Sequence, residues 1–197
     1  MTSETGILRF GAYIPRNRLQ RSAIFAANGW FAGGLKGLAK GERAIANWDE
    51  DPITMAVEAA RDAVPEDQRG AVGSVSLAST TLPFADRLNS GVVKEALTLN
   101  DATGAFDVTG GQRVATSALI QALAAAKGGA KPHLALASEM RLSRPASESE
   151  MVQGDAAAAL LIGQGDVVAK YLGSHSVTID FVDHFRSSGQ DFDYSWE

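Results

Sequence analysis

Apolar residues gather along this chain in two ways, as short continuous runs and as faces that recur at helical spacing, and the two kinds of segment alternate. Gly6-Ile-Leu-Arg-Phe-Gly-Ala-Tyr-Ile-Pro15 reads as a β-strand stopped by a proline, with a helical stretch after it from about 19 to 27. Asp51-Pro52 is a helix start, because the Asp side chain can accept a backbone N–H and proline at the first helical position gives up a donor that would have no partner. Ile53, Val57, Ala60 and Val64 then share one face, and Pro65 ends the run. Residues 74–79 read as a strand and 87–97 as a helix carrying Leu88, Val92 or Val93, and Leu97. Residues 115–127, rich in Ala and Leu, form the clearest helix, closed by Gly128-Gly129. The runs 133–138 and 157–162 are continuously apolar, as strands buried on both faces are. A last strand is expected over 167–174 with a continuation to Asp180, ahead of a polar, acidic tail over 189–197. Strands alternating with helices make the fold α/β, with a central mixed or mostly parallel sheet layered with helices.

Composition narrows the class. With 45% hydrophobic and 21% charged residues over 197 positions, the chain can bury a substantial core and is not a disordered sequence. A formal net charge of -5 without a dense Lys/Arg run argues against nucleic acid as a partner. The N-terminus has no apolar h-region and no window approaches the roughly 18 apolar residues that span a bilayer, so the sequence places the protein in the cytoplasm, away from membrane. There is no cysteine, which removes disulfides, thiolate metal sites and thioester chemistry on a Cys nucleophile together. His133, His175 and His184 lack metal-pair spacing, so no metal is expected. The Gly-rich, basic stretch Gly33-Gly-Leu-Lys-Gly-Leu-Ala-Lys-Gly41 fails the P-loop pattern and reads as a mobile surface loop.

Four blocks, in order, carry a resemblance. They are Gly11-Ala-Tyr-Ile-Pro-Arg16, Asp49-Glu-Asp-Pro-Ile-Thr-Met-Ala-Val-Glu-Ala-Ala-Arg61, Asp107-Val-Thr-Gly-Gly-Gln-Arg-Val-Ala-Thr-Ser-Ala-Leu119, and Gly154-Asp-Ala-Ala-Ala-Ala-Leu-Leu-Ile162. Together they resemble the opening strand, the entry to the first core helix, the nucleophile turn and the closing Gly-Asp block of HMG-CoA-synthase-like proteins of the thiolase superfamily. The resemblance implies a single thiolase-like N-terminal domain over 1–197, with the C-terminal half of that fold absent.

In that family the third block places a cysteine at the N-terminus of a buried helix, where aligned backbone dipoles favour a thiolate. The matching position here is Gln112, or Gly111 if the register moves by one, and neither is a nucleophile. The family's general acid, a glutamate after the preceding strand, is matched by Thr80. The resemblance implies an acyl-CoA or acyl-carrier thioester as substrate, no bound cofactor, and a homodimer or a complementary thiolase half as partner. Two readings stay open. In one, Gln112 donates a hydrogen bond to a developing enolate oxygen, and the protein cleaves carbon–carbon bonds by decarboxylation, retro-aldol or retro-Claisen chemistry. In the other, it is a non-catalytic half or subunit that binds thioester and assembles a dimer, the isolated chain being inactive.

Other polar residues read as structural. Thr109, Thr116 and Ser117 cap or pack at the strand-to-helix junction. His133 begins a buried strand as a hydrogen-bonded residue, and His184 beside Asp183 is solvated, since strand neighbours face opposite ways. Arg113 either floors a polar pocket or pairs with a carboxylate at the helix start. Arg16, Arg18, Lys36 and Lys40 are either phosphate contacts or ordinary surface charge. Residues 138–150 read as a polar loop.

Overall fold

A computed structural model describes residues 4–180 and 184–195. The chain runs β1 (Glu4–Tyr13), β2 (Asn17–Gln20), α1 (Arg21–Asn28), a 3-10 turn (Gly33–Leu38), β3 (Glu42–Ile45) and α2 (Pro52–Ala63). A second 3-10 turn (Glu66–Ala71) leads to β4 (Ser74–Ala78), α3 (Asn89–Ala96), β5 (Gly104–Val108) and α4 (Val114–Lys127). Then come β6 (His133–Glu139), α5 (Glu148–Val152), β7 (Ala156–Gly165), β8 (Ala169–Lys170), β9 (His184–Phe185) and β10 (Tyr194–Ser195).

Six strands make one sheet in the order β5-β4-β6-β7-β1-β8. The sheet is mixed: β4 is parallel to both β5 and β6, while β6–β7, β7–β1 and β1–β8 are antiparallel. Strand periodicity assigns the side chains to two layers. Val75, Leu77, Leu134, Leu136, Ala157, Ala159 and Leu161 face α2, which buries Ile53, Met55, Ala56, Val57, Ala59 and Ala60. The alternate residues Ala78, Ala135 and Ile162 belong to the clusters formed with α4 on the opposite face.

α2 begins where the sequence placed it. Asp51 caps Thr54 N at 2.8 Å, and Thr54 Oγ1 returns a bond to Asp51 N at 2.8 Å, completing a reciprocal capping box. The helix is buried on more than one face because small residues let β1 lie against it. A Cβ at Gly11 would come within 2.3 Å of Ala63 N and 2.5 Å of Ala59 O, so glycine is required there.

Three expectations are corrected. The stretch 167–174 is strand only over Ala169–Lys170, which pair with Ile7 and Gly6 of β1. Beyond it residues 171–180 form no strand, and Leu172, Val177 and Ile179 are exposed. The Gly-rich stretch is not a free loop: its 3-10 turn buries Leu35 in a cluster with Ile24 and Met151. The loop expected over 138–150 contains the end of β6 and the start of α5, which Ser147 caps through Glu150 N. The polar tail folds back, with Tyr194 opposite Phe185 and Ser195 opposite His184. No described helix is long and apolar enough to cross a membrane.

Candidate functional site

Parallel pairing gathers the C-terminal ends of three strands on one edge. Ala78 lies in register with Val108 on one side and Ala137 on the other, so residues 79–81, 109–113 and 139–141 emerge together. In a parallel sheet such an edge is where ligands are held.

The turn after β5 is fixed from behind. Asp107 accepts bonds from Asn89 N and Nδ2, both 2.9 Å, and from Ser90 N at 2.7 Å, which ties the end of β5 to the first turn of α3. Burial by itself would raise this carboxyl, but the bonds from Asn89 and Ser90 outweigh it and hold the group below the ordinary carboxylate value. Gly110 then takes φ +93, in the left-handed region that glycine enters without strain. That turn delivers Gln112, exposed, one residue before Arg113, the N-cap of α4. Here the positive end of a 14-residue helix dipole is directed at whatever lies in front of Gln112.

Thr80 sits on the adjacent strand end, and the structure gives it a partner that sequence reading missed. Glu139, the last residue of β6, accepts from Thr80 N at 2.7 Å, from Thr80 Oγ1 at 3.1 Å and from Thr81 Oγ1 at 2.9 Å. Met140 N donates to Thr81 Oγ1 at 3.0 Å, which fixes the same corner from the other side. A carboxylate is therefore present where the sequence offered only a threonine. The available signal was an acidic residue closing an apolar strand, but its meaning depends on β6 pairing with β4.

Gln112 Nε2 donates to the His184 carbonyl at 2.9 Å, and an Arg186 N–H donates to the Thr80 carbonyl. His184 is thus not a solvated side chain. Its Nε2 lies 3.1 Å from an Arg141 guanidinium nitrogen. Asp183 lies outside the described residues. Arg141 also pairs with Asp193 at 3.5 Å, so loop 140–147 and the β9–β10 hairpin meet over this edge.

The remaining candidates disperse. Arg113 bonds Ser176 Oγ at 3.0 Å rather than a carboxylate. Arg18 is spent on the carbonyls of Pro15 and Asn17 and on Glu42 at 3.6 Å, while Arg16 lines a cleft with Asp49 and Glu50. Thr109 and Thr116 are exposed. His133, at the opposite end of β6 from Glu139, is bound by Ser74 Oγ at 2.7 Å and Ser76 Oγ at 2.8 Å and stacks on Phe106; it is a core residue. Among the described residues, no group of three or more His, Cys, Asp or Glu is placed to hold a metal ion.

No family model matches the chain. Over 197 residues it is 30% identical to hydroxymethylglutaryl-CoA synthase of Methanocaldococcus jannaschii, covering 95% of this chain and 55% of that protein. Over 192 residues it is 31% identical to hydroxymethylglutaryl-CoA synthase of Pyrococcus horikoshii, covering 93% of this chain and 52% of the relative. In structure it matches an HMG-CoA synthase complexed with CoA at a TM-score of 0.86 and 22% identity, over 98% of this chain and 50% of that one. The chain is homologous to these synthases, has the thiolase-type fold, and spans about half the length of the relatives it matches.

Proposed function

We propose that this chain, the counterpart of the N-terminal half of a hydroxymethylglutaryl-CoA synthase, holds an acyl-CoA or acyl-carrier thioester at the edge formed by β4, β5 and β6. Its chemistry there is carbon–carbon cleavage without an acyl-enzyme. The observation that carries this reading is a carboxamide, Gln112, in the turn between β5 and α4, and a carboxylate, Glu139, at the end of β6, β5 and β6 being the two strands that flank β4, in a chain that has no thiol.

Gln112 can donate an N–H to the thioester oxygen as it gains charge, helped by the α4 dipole, and has no means of trapping the acyl group. For a β-hydroxyacyl thioester, Glu139 takes the hydroxyl proton, the electrons of the O–H bond become the new carbonyl, and the α–β bond breaks. Its electron pair forms the enolate at Gln112, and the proton returns to the α carbon. For a malonyl thioester, the bond to the carboxylate breaks instead, carbon dioxide leaves, the bond's electron pair forms the enolate at Gln112, and water protonates the α carbon. Thr80 and Thr81 orient the carboxylate.

The test is turnover of malonyl-CoA and a β-hydroxyacyl-CoA by the purified chain, with Q112A and E139Q alongside. We expect turnover reduced by about 10²-fold in each variant, the scale of losing one oxyanion donor or one acid–base group. Turnover unchanged in both removes these residues from the reaction.

A second reading, a non-catalytic subunit for assembly, is favoured by one feature. Ala115, Leu119, Ala137, Ala158 and Leu160 line an apolar cleft between α4 and the sheet, left uncovered in this chain. A second copy or a complementary thiolase half would cover it. Bound thioester without turnover, together with a dimer or complex that Leu119→Asp dissociates, would favour that reading; a monomer at all concentrations would sink it.

A further inference from the structure

We infer that the β9–β10 hairpin is a built-in occupant of the candidate site, a strap whose backbone carbonyl takes the place of a ligand's carbonyl on Gln112. This inference rests on the thioester reading above and concerns how that site is controlled.

The hairpin reaches both positions singled out in the sequence. Gln112 Nε2 donates to the carbonyl of His184, and Arg186 holds the carbonyl of Thr80. A peptide carbonyl and a thioester carbonyl present the same acceptor, so the donor proposed to steady the thioester oxygen is engaged by the protein itself. From below, Arg141 clasps the hairpin twice, through His184 Nε2 at 3.1 Å and Asp193 Oδ2 at 3.5 Å.

The clasp is built to be released. Each strand of the hairpin is 2 residues long, which leaves little ladder to hold it. Phe185, Phe192 and Tyr194 remain more than two-fifths exposed, and Phe185 packs against Tyr194 within the hairpin itself. Arg141 Nε and Asp193 Oδ1 are buried without a hydrogen-bond partner among the described residues, a cost carried only while the strap is closed. A segment with two-residue strands, partly exposed rings and an incompletely satisfied ion pair is the kind that opens locally while the core stays folded.

The experiment uses the full chain, malonyl-CoA as thioester probe, coenzyme A as the control without an acyl carbonyl, and Arg141→Gln to undo the clasp. We expect R141Q to bind malonyl-CoA at least 5-fold more tightly than wild type, with no such gain for coenzyme A. Saturating malonyl-CoA should also speed amide exchange over 184–195 in wild type. Slower exchange there, or weaker binding by R141Q, would overturn the strap and make the hairpin a wall of the binding site. If neither protein binds malonyl-CoA, the thioester reading falls, and the strap is judged on exchange alone. R141Q raising exchange over 110–113 and 184–195 and nowhere else supports it; unchanged exchange refutes it.

Discussion

Acidification should destabilise this protein through His133. The imidazole is 6% exposed, bonded at both nitrogens by Ser74 and Ser76 and covered by Phe106, and burial lowers its pKa from 6.5 to about 4. The folded pKa lies below the unfolded one, so between the two values the unfolded chain binds the proton and the folded chain does not. The stability is complete above about pH 6.5, is lost as pH falls toward 4, and does not fall further through this group below that. At about 1.4 kcal/mol per unit, the shift is worth about 3 kcal/mol in total and about 2 kcal/mol by pH 5. The assay is urea denaturation at closely spaced pH values for wild type and His133→Gln, whose carboxamide stays neutral throughout. The difference between the two curves isolates His133, because Asp107, Asp155, His175 and His184 are common to both chains. Wild type should lose about 2 kcal/mol more than H133Q between pH 7.5 and 5. Parallel curves would show that the imidazole is protonated in the folded state, or that its burial costs the charged form little.

Two further expectations follow from packing and capping. Gly11→Ala forces a methyl against the backbone of Ala59 and Ala63, where no side chain can move aside; β1 and α2 must separate, and thermal unfolding should show a loss of about 3 kcal/mol, the scale of severe overpacking. A stability within about 0.5 kcal/mol of wild type would mean the interface is looser than it looks. Asp107→Asn removes the charge that accepts three bonds at the start of α3, and should cost about 2 kcal/mol at pH 7. Because the folded carboxyl lies below its ordinary value, that difference should persist above pH 4 and vanish in strong acid; a difference that grows in acid would contradict the capping role.

Legibility varied with how local the cause was. The start of α2 could be read because Asp51, Pro52 and Thr54 act within one turn, and the apolar runs that became β6 and β7 could be read because burial on both faces leaves a continuous signature. The extent of β5 has no clear sequence signature: Gly-Ala-Phe-Asp-Val is an edge segment whose Asp107 answers to α3 rather than to a core pattern. The β2–β3 hairpin joins Asn17 to Ile45 across α1 and the Gly-rich stretch, a pairing no local spacing announces. The stretch 171–180 shows the converse, an apolar alternation at Val177 and Ile179 that forms no strand, both side chains being exposed.

The amino-acid sequence by itself determined that these 197 residues carry no thiol and that a glycine turn leads a carboxamide into a helix. Lack of cysteine excludes a thiolate anywhere, and Gly110-Gly111-Gln112 before a strong helix former sets a carboxamide at a helix entrance, both consequences of covalent identity and short-range conformation. Tertiary structure decided what stands beside that turn. Glu139 reaches Thr80 because β4 and β6 run parallel in register, and His184 and Arg186 reach Gln112 and Thr80 because the chain folds back over the sheet edge. Those contacts join residues 59, 72 and 106 positions apart. At such separations, proximity is set by how the sheet closes its core, and no residue's own preference encodes it.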